Sequence, residues 1–413
     1  MLRNSNSASH DGRYYTQALG DKVNVYEMKE YGYTLLGQIT NEWLREEVGD
    51  KFVPMSNTAV MSGDGKWIFV GATGWGYDGL DLTVAEQEES VLDGCVYVLE
   101  VVDKNIRLHK QLFSPKRQVG NKFGYDIVVN DDASSYAISA PGENRFEGGG
   151  NWCGAVYTYR GLEEYAPSTR LAHKDPKDNQ KFGEYLAMDR TGNRLLIYSN
   201  SDNADHRTDE LTESGINVVV NQSGTIDHYD YDVGTWTYRG ILRSMEPKVE
   251  GFFGKYLNLS GDGNSLLVFE NNIPEWSTPK HSYDNDIYLY RYIDGKWKYI
   301  KSLRQSIDDE KFGYTSNYIN YDGNMIMIPS CLSEVNGVIQ AGKVYMFYCE
   351  TDDTVTMKTL VHPGVSGADM TPKRFGITIT GDQYGDRILI GSYLESRDPL
   401  LGSRYRFHTV TIE

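Results

Sequence analysis

Carboxylates in two acidic segments are the residues of this sequence whose spacing is best suited to chemistry. Segment 72–94 has no basic residue and carries, after Trp75 and Tyr77, the acidic side chains Asp78, Asp81, Glu86, Glu88, Glu89 and Asp93. Segment 200–214 carries Asp202, Asp205, Asp209, Glu210 and Glu213 against the single Arg207. Such oxygens are the hard ligands that calcium binds. Neither segment has the glycine and terminal bidentate acid of a dedicated calcium loop. We therefore expect no metal and no cofactor, and keep calcium only as an alternative.

Aromatic and basic residues offer a second kind of site, one that binds a partner. Trp, Tyr and Arg are the usual anchors of interfaces, and binding residues concentrate on loops held by a rigid scaffold. The candidates are Trp75, Tyr77, Asp78, Asp81, Glu86, Glu88, Glu89, Trp152, Asp202, Asp205, Asp209, Trp276, Arg404 and Arg406. The alternative is that these loops are solvated and merely tolerate insertion. Arg404 and Arg406 would then be the solvent-facing residues of a strand whose side chains alternate between its two faces.

Catalytic motifs are missing from the sequence. It has no nucleophile elbow, zinc-protease helix, phosphate loop or dinucleotide fingerprint. We therefore expect a protein that is not an enzyme. The rival hypothesis is a propeller enzyme acting on glycans, a lyase or hydrolase, because a propeller can collect residues that are distant in sequence. Two carboxylates about 5–10 Å apart in a deep pocket would favour that rival.

The charge and composition limit the classes of partner that this protein can bind. The net charge is −17, which repels phosphate backbones and anionic membranes. Neither a transmembrane stretch nor an apolar signal sequence is present, so we expect cytoplasmic synthesis, a location that also suits assembly of a virus particle. The partners should be other proteins, either assembly neighbours or a receptor, with a glycan as an alternative. The abundance of Tyr (31) and Gly (42) favours short strands joined by tight turns.

A repeat supplies the elements that must position these residues. A Phe-Gly pair recurs at Phe123, Phe182, Phe253, Phe312 and Phe375, with a degenerate copy at Phe52 and Leu2 in the same position of the first repeat. After each anchor come a first alternating strand, a tight turn such as Gly63-Asp64-Gly65, an apolar second strand, an aromatic third strand and a polar fourth strand. This period-2 pattern predicts a four-stranded meander in each repeat. We expect each Phe to pack between blades and the Lys or Arg before it to lie at the blade junction.

The number of repeats predicts the fold class, an all-β propeller. One meander cannot bury both of its faces, so consecutive meanders must pack together. We predict one domain over residues 1–413, with seven blades that start near 2, 52, 123, 182, 253, 312 and 375. The last blade is truncated after its third strand. The alternative is six blades, with residues 1–48 partly a tail. A two-domain α/β fold is excluded, because no segment has helical periodicity over ten residues.

Two repeats also carry a recognisable signature. The third combines Phe123-Gly124, Ala140-Pro141-Gly142 and Gly154-Ala155-Val156-Tyr157, and the sixth is nearly as complete. These motifs resemble the FG-GAP repeat of integrin α-subunit propellers and their microbial and viral relatives. The resemblance implies a propeller used for adhesion or assembly. Relatives often hold calcium in a DxDxDG loop between the first two strands, but this sequence has only a tight turn there, so we expect its stability to be independent of calcium.

Together these observations predict a non-catalytic protein-interaction or assembly module, a structural or adhesion component of a virus particle. An intracellular scaffold is a further alternative to the glycan enzyme. The truncated last blade adds one expectation. An exposed third strand would present unpaired N–H and C=O groups, so we expect a partner chain, or N-terminal residues under the six-blade alternative, to cover that edge.

Overall fold

The computed structural model describes residues 6–29, 32–56, 58–73, 93–116, 118, 120–144, 151–200, 223–248, 250–271, 285–304, 312–313, 317–350, 353–363, 373–394 and 404–411. The chain divides into two compact units, Met1–Pro247 and Lys248–Glu413. Both are built from antiparallel meanders, in which sequence neighbours pair side by side. The predicted anchor Leu2 lies outside the described residues.

The first unit contains four blades of four strands each. Blade 1 comprises β1 (Asn6–Ala8), β2 (Tyr14–Ala18), β3 (Lys22–Lys29) and β4 (Gly32–Thr40). Blade 2 comprises β5 (Ala59–Met61), β6 (Trp67–Ala72), β7 (Cys95–Val102) and β8 (Asn105–Phe113). Blade 3 comprises β9 (Ile127–Val129), β10 (Tyr136–Ala140), β11 (Ala155–Tyr159) and β12 (Thr169–Leu171). Blade 4 comprises β13 (Tyr185–Met188), β14 (Arg194–Ser199), β15 (Thr225–Asp232) and β16 (Thr235–Leu242).

The second unit contains three blades. Blade 5 comprises β17 (Leu257–Leu259), β18 (Ser265–Asn271), β19 (Asn285–Ile293) and β20 (Lys296–Ser302). Blade 6 comprises β21 (Tyr318–Ile319), β22 (Met325–Ser330), β23 (Lys343–Cys349) and β24 (Val355–Val361). Blade 7 comprises β25 (Thr378–Gly381), β26 (Arg387–Leu394) and β27 (Arg404–Thr411), and has three strands among the described residues. The predicted propeller class, the seven blades and the truncated last blade are confirmed, and the six-blade alternative is wrong.

The core of each unit lies between consecutive blades. One apolar cluster joins blades 1 and 2, and others join blades 2 and 3, blades 3 and 4, blades 5 and 6, and blades 6 and 7. The Phe of each Phe-Gly anchor is at most 2% exposed, as expected of a residue that packs between blades. Fully burying one such side chain contributes about 1.5–3 kcal/mol, and each buried anchor Phe repeats this contribution.

Glycines before the third strands explain part of the repeated signature. A Cβ on Gly154 would lie 2.2 Å from the carbonyl oxygen of Phe182, the anchor of the next blade, and one on Gly342 would lie 2.3 Å from that of Phe375. Real Cβ atoms do not approach backbone that closely, so only glycine fits. The Phe-Gly anchor and the glycine that opens the third strand are thus two sides of one contact.

The tight turns between the first and second strands bond to one another within each unit. The His10 N–H donates to the Gly63 carbonyl (2.8 Å) and the Asp64 N–H to the Asp131 carbonyl (2.8 Å), each bond joining one blade to the next. Inside the turn, Asp64 accepts a hydrogen bond from the Ser62 hydroxyl at 2.6 Å and another from the Lys66 N–H at 3.0 Å. The turn aspartate is therefore engaged by its own turn.

One helix was not expected from the sequence. α1 (Asn41–Val48) follows β4 directly and is succeeded by a single 3-10 turn (Gly49–Lys51). The Thr40 hydroxyl caps it by accepting from the Trp43 N–H, and Gly49, with φ 60°, ends it. Leu44 is its buried residue. Eight residues were too few for the periodicity test, but the Thr cap and the Gly stop are signals that could have found this helix.

Candidate partner-binding site around Trp152

Most of the predicted site residues fall outside the part of the chain that the structure describes. These are Trp75, Tyr77, Asp78, Asp81, Glu86, Glu88, Glu89, Asp202, Asp205, Asp209 and Trp276. Arg404 and Arg406 belong to β27, where the backbone pairing is described but their side chains are not. Trp152 is described together with its surroundings, so the candidate site is built on it.

The backbone holds Trp152 in place just before β11. Its N–H donates to the Asn144 side-chain oxygen at 2.9 Å, and its carbonyl accepts from the Lys181 N–H at 2.9 Å. Trp152 has a left-handed φ of 57°, which is uncommon for a residue with a side chain. The second of these bonds connects the loop of blade 3 to the segment that leads into blade 4. The indole, which is partly exposed, therefore sits on a fixed backbone.

Two lysines flank this indole. The Lys122 ammonium lies 4.7 Å from the ring centroid and the Lys181 ammonium 5.9 Å from it, both within the range of cation–π attraction. Both residues precede a Phe-Gly anchor and have left-handed φ values of 59° and 52°. Burial lowers the pKa of Lys122, the neighbouring Lys181 charge lowers it further, and Glu184 opposes them. The site is therefore a partly exposed aromatic residue with two positive charges near its ring.

A buried carboxylate lies next to the site in the chain. Glu143, with no exposed surface, accepts from the Arg170 Nε (2.9 Å) and Nη2 (2.6 Å) through one oxygen. Its other oxygen accepts from the Tyr157 hydroxyl at 2.6 Å. Lys116 lies 3.8 Å from the carboxylate and also donates to the Asn144 carbonyl. Burial, followed by the charge of Glu143, raises the pKa of Tyr157. This carboxylate is saturated by internal partners, which suits a structural role.

A second buried carboxylate lies in the other unit, at blade 5. The Tyr288 hydroxyl is 3.0 Å from a Glu270 oxygen and 3.3 Å from an Asp286 oxygen. Lys248 approaches the same two carboxylates at 3.9 and 3.0 Å. Burial raises the pKa of Tyr288, and the charges of Glu270 and Asp286 raise it further. Two acids thus share one phenol and one ammonium. Sequence reasoning did not find this pair, because Glu270 and Asp286 lie in different strands.

Other kinds of site find no support in the described ranges. Among these residues, no group of three or more His, Cys, Asp or Glu side chains is placed to hold a metal ion. Within the same residues, no helix is long and apolar enough to cross a membrane. The four cysteines are buried, and burial raises the pKa of the Cys95 thiol to about 12. Cys95 is therefore a poor nucleophile.

No protein-family model matches this chain, and no curated protein matches it. Solved structures do resemble it. The β-propeller domain of Cps50 (Swd1) from Myceliophteria thermophila aligns with 99% of this chain and 97% of its own, at 10% identity and a TM-score of 0.53. A chain of the mitotic checkpoint complex aligns over 99% and 90%, at 9% identity and a TM-score of 0.53. The periplasmic gluconolactonase PpgL of Pseudomonas aeruginosa aligns over 87% and 84%, at 13% identity and a TM-score of 0.51. These likenesses show the propeller fold alone.

Proposed function

We propose that this chain is a non-catalytic protein-interaction module that binds a partner through the Trp152 site. The observation that carries the proposal is the contrast between two neighbours. Glu143 is fully buried and bonded to Arg170 and Tyr157, whereas Trp152 is partly exposed and has two lysine ammonium groups 4.7 and 5.9 Å from its ring centroid. A large aromatic ring held rigidly beside cations is a suitable interface anchor, because little conformational freedom is lost on binding.

The fold is compatible with this role and with others. One structural neighbour belongs to the mitotic checkpoint complex and another is named a gluconolactonase, so the fold alone does not select a function. We extend the proposal to a structural or adhesion component of a virus particle, made in the cytoplasm. Its support is composition, with 31 Tyr and a net charge of −17. An intracellular scaffold is the alternative of the same class. We also propose a distant relationship to FG-GAP propellers, supported by the contact of Gly154 with the Phe182 backbone.

Affinity purification from the native source tests the interaction module. Tagged wild-type chain, Trp152→Ala and a matched control, Tyr384→Ala, would be compared by quantitative mass spectrometry. Tyr384 is an exposed aromatic residue (64%) on the turn between β25 and β26, so its removal leaves the Trp152 site intact. We expect at least one stoichiometric protein partner to be lost about ten-fold or more with Trp152→Ala and retained with Tyr384→Ala. Equal recovery with all three chains would contradict the proposal.

A glycan-processing enzyme is the second candidate, and the Glu270–Asp286 pair is the observation that favours it. Two carboxylates beside one tyrosine could divide acid and base roles between them. The test is release of reducing ends or unsaturated products from a panel of polysaccharides. Activity that is present in the wild type and abolished in both Glu270→Gln and Asp286→Asn would support this candidate. Turnover that is absent, or unchanged in both variants, would remove it.

The edge of β27 is a second surface on which we expect a partner. β27 pairs with β26 from Arg387↔Thr411 to Leu394↔Arg404, and no strand pairs with its other edge among the described residues. In blade 6 the corresponding third strand, β23, is covered by β24. Amide hydrogen exchange of residues 404–411 should be slower in the native assembly than in the isolated protein. Equally fast exchange in both states would mean that the edge is free.

A further inference from the structure

We infer that Arg13, Lys29 and Lys104 form a binding site for a doubly charged tetrahedral oxoanion, the phosphate or sulfate group of a ligand, and that Glu27 positions them. Arg13 and Lys29 belong to blade 1, and Lys104 lies in the turn between β7 and β8 of blade 2. All three cations lie within 4.0 Å of the Glu27 carboxylate. The site shares no residue with the Trp152 site, so the inference does not depend on the proposed function.

Glu27 holds the three cations together. Its side chain, on β3, is 6% exposed. One carboxylate oxygen accepts from the Arg13 Nη2 at 3.4 Å, and the other accepts from the Lys29 ammonium and lies 4.0 Å from the Lys104 ammonium. The bond from Lys29 lowers the pKa of Glu27, burial opposes this, and the charges of Lys104 and Lys29 lower the pKa further. One ionised carboxylate therefore faces three positive charges.

The cations keep donors and surface that a ligand can reach. The side chains of Arg13, Lys29 and Lys104 are 54%, 45% and 62% exposed. Among the described residues, the Arg13 guanidinium donates through Nη2 alone, and the Lys104 ammonium makes no hydrogen bond. A guanidinium has five N–H donors, so those on Nε and Nη1 remain for a ligand. The Tyr14 ring, 5.0 Å from the Arg13 Cζ, limits the freedom of this group.

The neighbouring acidic residues do not neutralise these cations in the part of the chain that the structure describes. Asp11 accepts from the Ser9 hydroxyl at 2.6 Å and from the Arg13 N–H at 2.9 Å, and thus bonds to the turn before β2. Glu100 accepts from both Nε and Nη2 of Arg107. Neither acid forms an ion pair with Lys104 or the Arg13 guanidinium within the described ranges.

The charge of the site suits a tetrahedral oxoanion. Three cations against one carboxylate leave two positive charges, and a phosphate monoester carries about −1.5 to −2 at neutral pH. A carboxylate ligand would neutralise only one of them. The planar guanidinium of Arg13 matches two oxygens of a phosphate or sulfate group, and the two ammonium groups act as point charges. Because the chain as a whole has a net charge of −17, an anion would bind here only through these local contacts.

Phosphorus NMR of inorganic phosphate tests the inference. The full chain is added to phosphate at pH 8 and constant ionic strength, and the width of the phosphate line is measured. We expect saturable broadening that sulfate reverses and that acetate at the same concentration does not. Arg13→Gln and Lys104→Gln should each weaken binding about three- to ten-fold, because each removes a charge-assisted hydrogen bond to the anion.

A matched variant and a second ligand complete the experiment. Lys298→Gln removes a lysine that pairs with the exposed Asp294 and should bind like the wild type. Since the Arg13 and Lys104 side chains are more than half exposed, their variants should fold, and unchanged melting temperatures verify this. Glucose 6-phosphate that binds more tightly than inorganic phosphate would assign the site to a phosphorylated ligand, and the reverse order to the free ion.

Three results would overturn the inference. They are the absence of broadening with the wild type, equal broadening with Arg13→Gln, Lys104→Gln and Lys298→Gln, and displacement of phosphate by acetate as effective as that by sulfate.

Discussion

Blades 3 and 5 contain the same tyrosine–glutamate hydrogen bond, but the charged groups around that bond differ. In each, a tyrosine at the same position of the third strand donates to a buried glutamate, Tyr157 to Glu143 and Tyr288 to Glu270. The equivalence follows from pairing, because Tyr157 lies opposite Ile138 and Tyr288 opposite Val268 in the second strands. A lysine approaches each glutamate from the chain that enters the blade.

The difference in local charge between the two blades arises from two positions next to the tyrosine. On the fourth strand, Arg170 lies opposite Tyr157, whereas Ser302 lies opposite Tyr288. Two residues before the tyrosine, blade 3 has Ala155 and blade 5 has Asp286. The cluster in blade 3 therefore has two bases for one acid, and the cluster in blade 5 has two acids for one base. The repeat sets the Tyr–Glu bond, and residues that the repeat leaves variable set the local charge.

Removing the arginine should give the largest effect. Arg170→Leu leaves Glu143 buried with only Tyr157 and the more distant Lys116, so we expect a loss of about 1–3 kcal/mol in unfolding free energy. The lower part of the range for buried pairs applies, because the Arg170 side chain is 41% exposed. Urea denaturation measures the change. Ser302→Ala, the matched change in blade 5, should alter stability by less than about 0.5 kcal/mol. Equal effects of Arg170→Leu and Ser302→Ala would contradict the difference that we describe between blades 3 and 5.

Alkaline pH should weaken both clusters through their tyrosines. Burial raises the pKa of Tyr157 and of Tyr288 above the ordinary value of 10, and the glutamate charges add to this. A phenol whose pKa is higher in the folded state stabilises the fold below pH 10 and loses that contribution as the pH rises toward the folded pKa. Each tyrosine should lower the free energy of unfolding by about 1.4 kcal/mol per pH unit above pH 10.

Phenylalanine variants isolate that contribution. The stability difference between wild type and Tyr157→Phe, or Tyr288→Phe, should shrink as the pH rises above 10. For Tyr288→Phe this difference should keep shrinking to a higher pH than for Tyr157→Phe, because two carboxylates raise the pKa of the Tyr288 phenol. Denaturation at several pH values, with tyrosinate absorbance as a second readout, measures this. A difference that stays constant between pH 9 and pH 11 would show that these phenols are not held protonated by the fold.

Removing the additional acid should give the smallest effect. Asp286→Ala leaves Lys248 to Glu270 alone, so the unfolding free energy should stay the same or rise by up to about 1 kcal/mol. Asp294→Ala is the control, because Asp294 is 85% exposed and pairs with Lys298 at the surface. Thermal melting of both variants measures the change in stability. A clear destabilisation by Asp286→Ala alone would mean that the acid pair is required by the fold.

The strands and turns could be predicted from sequence because each depends on local patterns. Period-2 alternation located the third strands, and Asp-Gly pairs located turns such as the one containing Asp64. The buried clusters depend on contacts between distant residues. Glu143 and Arg170 are far apart in the chain, and the register of β11 and β12 places Arg170 opposite Tyr157, which bonds to the same carboxylate. Trp152 was a candidate from its residue type, but its flanking lysines were expected only at the blade junction. All three positions have a left-handed backbone, which local patterns do not reveal.

The left-handed backbone at Lys122, Trp152 and Lys181 has a thermodynamic consequence. Glycine adopts this conformation freely, whereas a residue with a Cβ is destabilised there by about 1–2 kcal/mol. At these three positions the chain therefore keeps a side chain although the backbone conformation favours glycine. Evolution of this chain toward thermal stability would tend to replace the very residues that form the Trp152 site, and a thermostabilised variant selected without a partner should lose binding first.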